Sequence, residues 1–552
     1  MVDLDNLVLP VNRASVSQAT AAVPVLAEES GPMSHRQILE ALSGLLLAMF
    51  VAMLSSTVVT NALPRIVSDL HGSQTGYTWV VVATMLAMTA TTPIWGKLSD
   101  LFSKKLLVQL ALLIYIGGSV IAAFAPSMEV LIGARVVQGL GVGGLTALVQ
   151  VVIATMISPR ERGRYSGYLG AVFALATVSG PLIGGVIVDS ALGWRGCFFI
   201  GLPFAVVAFF LLQKTLHLPV VKRPVRIDYL GATLLVAGVS TLLVWVSLAG
   251  NQFAWASATT AVLVLLGLLL LAAAGYVETK VAAEPVIPLR LFRDRTTTLA
   301  TVASVMIGVA MFGSTVYLSQ YFQTSRGMSP TEAGLMSIAM VGGLFVSSLV
   351  SGRVISDTGR WKGWLVGGMI LVVVGLALLG SIDETTSLVV VGAFMAILGV
   401  GLGATMQNLV LSVQNNVTMS DMGAASSVVA FFRSMGGSIG VSALGALLSH
   451  QVGQQVADGY VAAQRPPSFD ADSHAVPDVS SLPGWEQTIW EHAFGSSFGH
   501  LFLVATPLAL VALACVLLIR EVPLRTSNLE AEAAASPEAA AELHRAIVRS
   551  EA

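Results

Sequence analysis

The chain has 552 residues, 55% of them hydrophobic and 11% charged, with a formal net charge of −2. A soluble domain carries about 25% charged residues, so the composition argues against a soluble enzyme and a disordered chain, and the charge against an electrostatic affinity for nucleic acid. A helix crosses a bilayer on about 20 mostly apolar residues, because lipid offers its backbone no hydrogen-bond partners. Such segments recur near 39–62, 78–96, 105–125, 129–154, 165–188, 196–213, 229–249, 257–277, 297–320, 333–355, 364–381, 388–412, 424–449 and 499–519. They predict an all-α polytopic membrane protein of fourteen spans. The first follows a polar stretch and is too long for the apolar core of a cleaved signal peptide. Residues 450–497, with Pro466-Pro467, read as a long external loop carrying a short interfacial helix around Trp485, Trp490 and Phe494. The Ala/Glu-rich stretch from Ser527 reads as a loose terminal helix.

Positive charge sets the orientation. An even number of spans puts both termini on one side, and on that side lie nearly all of the 29 Lys and Arg. Only Arg65, Arg195, Arg326 and Arg465 fall on the other, and Arg135 and Arg433 fall inside spans. The split predicts cytoplasmic termini.

The chain also repeats itself. Gly96-Lys-Leu-Ser-Asp100-Leu-Phe-Ser103-Lys104 returns as Gly352-Arg-Val-Ile-Ser-Asp357-Thr-Gly359-Arg360, and the same offset sends Gly167 to Gly423, Gly180 to Gly436 and Gly184 to Gly440. Gly139-x-Gly141-x-Gly143 returns as Gly399-x-Gly401-x-Gly403. The reading is therefore a tail over 1–36, a six-helix bundle over 37–213, two inserted helices with linkers over 214–296, a second bundle over 297–520 and a tail over 521–552. Weak repeats of this kind mark secondary transporters, whose halves rock about a midplane site.

These motifs resemble the major facilitator superfamily, and within it the fourteen-spanner drug–proton antiporters of the EmrB/QacA type, over roughly residues 37–520. Gly96-x-x-x-Asp100-x-x-Ser103-Lys104-Lys105 is similar to the family's loop between helices 2 and 3, with Ser103 where glycine is usual. Leu131-x-x-x-Arg135-x-x-Gln138-Gly139 resembles the helix 4 motif, and Gly180-Pro181-x-x-Gly184-Gly185 the helix 5 motif of exporters. Trp194-Arg195 and then Pro203 fit the start of helix 6. In helix 1 the family's aspartate is Ser55 here, followed by Thr57 and Ala62-Leu63-Pro64. The resemblance implies export of hydrophobic or amphiphilic antibiotics or drugs, proton exchange and alternating access across a bacterial plasma membrane, with no enzymatic step and no cofactor beyond the proton gradient.

Candidate site residues follow. Gly96, Asp100, Lys104 and Lys105, with Gly180, Pro181, Gly184 and Gly185, are candidates for gating; Asp100 is placed to cap a helix N-terminus of the opposite half, where partial positive charge gathers. Arg135 and Arg433 are ionisable groups inside spans and so functional candidates. No acid lies near the middle of any span. A buried cation needs a counter-charge, so an interior with two arginines and no acid favours neutral or anionic lipophiles. Ser55, Thr57, Asn61, Gln138, Gln150, Gln407, Asn408 and Gln414 are polar candidates for ligand contact, and Phe312, Tyr317 and Tyr321 for stacking. Asp189 or Glu332, at outer helix ends, would carry protons. No histidine lies mid-span, so no metal site is expected, and no phosphate-binding loop points to nucleotide hydrolysis. Export of an endogenous lipid or metabolite is the alternative, and a non-transporting receptor or scaffold the alternative from another class.

Overall fold

The computed structural model describes residues 35–70, 74–188, 190–216, 218, 228–250, 252–282, 284–418, 421–464 and 482–525. The tails, Asp189 and most of the linker before residue 228 lie outside them. The helices are α1 (His35–Asp69), α2 (Gln74–Leu101), α3 (Lys104–Ala123), α4 (Met128–Met156), α5 (Pro159–Val188), α6 (Gly196–Phe199), α7 (Gly201–Thr215), α8 (Tyr229–Leu248), α9 (Ala258–Lys280), α10 (Arg295–Thr324), α11 (Pro330–Met336), α12 (Ile338–Thr358), α13 (Lys362–Leu379), α14 (Leu388–Asn416), α15 (Met422–Ala463) and α16 (Gly484–Leu518). No β-strand forms among the described residues. Thirteen helical stretches there are long and apolar enough to cross a membrane, and α5, with 30 residues, stands where the fifth span is expected. Two spans are interrupted. Pro203 lacks the N–H that would bond the carbonyl of Phe199, which separates α6 from α7. Ser337, whose N–H is shared between the carbonyls of Ala333 and Gly334, separates α11 from α12.

The repeated glycines do the same work in both halves. A Cβ on Gly139 would stand 2.5 Å from the Thr84 carbonyl and one on Gly143 2.7 Å from that of Met88, both on α2. Their repeats Gly399 and Gly403 press still more closely on the carbonyls of Met340 and Leu344 in α12. Gly141 faces the Ala111 carbonyl of α3, and Gly401 the Gly368 carbonyl of α13, each at 2.7 Å. Thus α4 is wedged between α2 and α3 as α14 is between α12 and α13, and any side chain there would push the backbones apart. The glycines of the exporter-like motif follow suit: Gly180 and Gly184 lie against Thr57 and Val58 of α1, and Gly436 and Gly440 against Val305 and Val309 of α10.

The inserted pair packs on the seam. Leu235, Val239 and Leu243 of α8 share one buried cluster with Ala90 of α2 and with Val428 and Phe431 of α15. The outer face of α9, with Val262, Leu265 and Leu269, is exposed, as suits a helix facing lipid.

The long external loop read over 450–497 is corrected. Helix α15 runs on to Ala463 and α16 starts at Gly484, so Trp485, Trp490 and Phe494 belong to the first turns of the last span. Leu444, Leu448, Val452 and Val456 stay buried at four-residue spacing while the residues between them turn polar. That amphipathic stripe carries the helix past the point where mean hydropathy falls.

Candidate functional site

Arg135 is buried on α4 and tied to its neighbours. Its Nε donates to the Val80 carbonyl of α2 at 3.1 Å and its Nη1 to Gln138 Oε1 at 2.8 Å. Gln138 Nε2 in turn donates to Ser119 Oγ of α3 at 2.8 Å and Ser55 Oγ of α1 at 3.3 Å. Thr84 Oγ1 closes the set on the Arg135 carbonyl at 3.2 Å. Four helices of one half are joined through one guanidinium and one carboxamide. Ser55, in the place of the family's aspartate, is the end of that chain.

Other polar candidates are also engaged between helices. Thr57 Oγ1 donates to the Leu54 carbonyl at 3.0 Å and the Ala176 carbonyl of α5 at 3.2 Å. Asn408 Nδ2 donates to the Ala404 carbonyl one turn back at 2.7 Å and reaches Ser351 Oγ of α12 at 3.5 Å. Tyr317 bonds the Val441 carbonyl, and Tyr321 that of Asp383. Glu332, put forward as a proton carrier, has a local structural partner. It is exposed, and it forms a capping box with Ser329 at the start of α11, a local task that uses its carboxylate on the Ser329 N–H at 2.8 Å. The side chain of Asn61 and all of Asp189 lie outside the described residues.

Arg433 differs from all of these. It is half-buried on α15, and its guanidinium has no hydrogen bond or ion pair among the described residues. Phe312, also half-buried, lies with its ring against Gly437, one turn further along α15.

The second constellation joins the halves where α2 ends and α5 and α15 begin, here called the latch face. Asp100 accepts from the N–H groups of Gly423 and Ala424 at 2.8 and 2.9 Å, at the start of α15. Gly96 permits it: a Cβ there would stand 2.7 Å from the Gly423 carbonyl and would strike Ser427. Ser103, in the usual glycine position, is the N-cap of α3, which Lys104 opens. Lys105 Nζ donates to the Gln213 carbonyl at 2.7 Å and so ties α3 to α7. Two ion pairs flank the cap. Lys97 meets Glu284 of the linker after α9 at 2.6 Å, and Arg290 of that linker meets Asp421, the N-cap of α15, at 2.8 Å.

On the other side of the seam, Arg160 donates to the carbonyls of Ser356 and Asp357 at 3.1 and 3.2 Å, at the end of α12. Arg162 is buried and bonds the Ile157 carbonyl and Gln414 Oε1, both at 2.8 Å, and Gln414 Nε2 reaches Ser426 Oγ at 2.9 Å. Gln150 donates to Gln407 at 3.3 Å across the halves, and a small cavity lies between these groups. Counting charges alone leaves Arg162 in a loop. The signal that would have found it is Pro159, a helix-starting residue that puts Arg162 in the first turn of α5.

The sequence pattern of the Major Facilitator Superfamily matches residues 45–441. The chain belongs to that superfamily. Relatives of this superfamily member include the multidrug transporter protein MdtP of Bacillus subtilis, 33% identical over 78% of this chain and 79% of that protein. The efflux pump dotC of Dothistroma septosporum is 32% identical over 88% of this chain and 84% of its own. Among solved structures, the proton:xylose symporter XylE superposes with a TM-score of 0.56 at 12% identity, covering 86% of this chain and 95% of that one; at that identity the likeness concerns the fold alone. Set in this fold, the Asp100 cap and the Arg160–Arg162 group lie on the seam between the halves of a superfamily transporter, and the Arg135 network lies inside one half.

Proposed function

We propose that this superfamily member is a secondary active exporter of lipophilic small molecules, neutral or anionic in preference to cationic, that exchanges them for protons. It works by rocking its two halves about the seam, with Asp100 on the α15 N-terminus holding one conformation. The observation that carries this is the distribution of polar bonds. Among the described residues, the hydrogen bonds that link the two halves (Gln150–Gln407, Arg160 to the end of α12, Arg162–Gln414 and Asp100 to the start of α15) lie in the part of the seam towards the latch face. A carrier that closes at one end and opens at the other requires such one-sided fastening. The names of the relatives, a multidrug transporter and an efflux pump, support small lipophilic cargo. The clustering of Lys and Arg supports a cytoplasmic latch face in a bacterial plasma membrane. Asp189 and Glu332 are the acids put forward for proton exchange, and Asp189 is the one tested.

Expression in an efflux-deficient bacterium tests this. Accumulation of uncharged and anionic lipophilic dyes is expected to fall several-fold, to be restored by a protonophore, and to respond little to the pH gradient in Asp189→Asn. Unchanged accumulation of every dye would refute export.

A further inference from the structure

Arg433 is the twelfth residue of α15. At 1.5 Å per residue it lies about 16 Å from the start of that helix, about halfway through a hydrocarbon layer about 30 Å thick. A guanidinium at that depth is retained where it is paired or faces a water-filled path. The elements packed against α15 are α2, α4, α8, α10, α14 and α16. Of these, α8, α10 and α14 hold no Asp or Glu. Asp100 of α2 is engaged on Gly423 and Ala424, Glu129 stands in the first turn of α4, and Glu486 and Glu491 lie in the first two turns of α16. Asp421 at the start of α15 is paired with Arg290. Among the described residues of α15 and of these elements, no carboxylate is therefore placed at the depth of Arg433.

The surroundings define what would complement it. Gly308 of α10 lies directly on the Arg433 backbone, and Phe312, one turn along α10, lies directly on Gly437, one turn along α15. The same four-residue step on both helices places Phe312 one turn along the α10–α15 contact from Arg433, whose guanidinium is unpaired among the described residues. Both side chains are partly accessible. Guanidinium pairs carboxylate or sulfonate through two parallel N–H···O bonds, and the ring offers a stacking face to an aromatic body.

We propose that Arg433 and Phe312 form the recognition site for the anionic head of an aromatic lipophile, so that the preferred cargo of this exporter is an organic anion. The proposal deepens the export reading and rests on it for the word cargo, but the site itself can be tested by binding alone.

The experiment uses the purified full-length chain and two fluorescent probes that differ only in charge, pyrenebutyric acid and its methyl ester, titrated at neutral pH. Wild type is expected to bind the acid, and Arg433→Gln to bind it at least tenfold more weakly, with ester binding unchanged. Arg433→Lys keeps the charge without the planar fork and is expected to lose several-fold for the acid only; it carries the test if the Gln variant cannot be purified. Phe312→Ala is expected to weaken both probes. Equal binding of the acid by wild type and Arg433→Gln, no binding of the acid by wild type, or parallel loss of acid and ester in either Arg433 variant would overturn the proposal. Charge-selective binding without efflux of the acid from loaded cells would instead refute export and leave the binding site standing.

Discussion

Two arginines sit inside the spans, one in each half, and the halves treat them oppositely. Around Arg135 three neighbouring helices take part: α2 through the Val80 carbonyl and, by way of Gln138, α3 through Ser119 and α1 through Ser55. Around Arg433 none does among the described residues. The contrast is not one of architecture, since the wedge of α4 between α2 and α3 recurs as α14 between α12 and α13, glycine for glycine. What differs is what surrounds the charge. A buried group whose donors are all engaged is a fastening, and removing it leaves orphaned partners. A group left unpaired inside the membrane costs stability unless something outside the chain completes it.

That difference predicts unequal consequences. Arg135→Ala strips partners from Gln138 and the Val80 carbonyl at once, and is expected to cost about 3 kcal/mol, read as a marked fall in the thermal melting point of the purified protein. Arg433→Gln in the same assay is expected to leave the melting point unchanged or to raise it, because no bond is lost. Equal destabilisation by the two would erase the distinction drawn between them.

The latch offers a smaller effect. Asp100→Asn keeps the shape but removes the charge from the α15 N-terminus, an interaction of about 1 kcal/mol, and is expected to shift the protein towards the state open at the latch face. Labelling of a cysteine introduced at Ser427 by a water-soluble maleimide, in a background where Cys197 and Cys515 are serine, should then be faster by several-fold. Smaller again is the pair Lys97–Glu284, in which Glu284 is 36% exposed. Glu284→Gln is expected to change the same labelling rate by about twofold at low salt and not at all at high salt, as solvent-screened pairs behave.

Much of the fold was legible because bilayer physics writes it in long apolar runs and in glycines where backbones meet. The Asp100 cap was legible from the likeness of residues 96–105 to a known family's loop, together with the partial positive charge that a helix start offers a carboxylate. The end of α15 was not, since averaging hydropathy over residues 450–463 hides a stripe of Val452 and Val456 that needs only one face of the helix. Nor could the sequence separate Arg135 from Arg433. Their different fates depend on which carbonyls and amides other helices present, and a backbone carbonyl such as that of Val80 or Ala176 has no letter of its own. That Thr57 and Asn408, read as candidates for ligand contact, donate to such carbonyls was hidden for the same reason.

The rocking of the halves is tested most directly by fastening them. Gln150 and Gln407 already touch across the seam at 3.3 Å, so Gln150→Cys with Gln407→Cys, in the background lacking Cys197 and Cys515, should cross-link under mild oxidation. The expected result is loss of dye efflux on oxidation and full recovery on reduction, with each single variant unaffected. Undiminished efflux from fully cross-linked protein would mean that the seam does not open during transport, and would contradict the account.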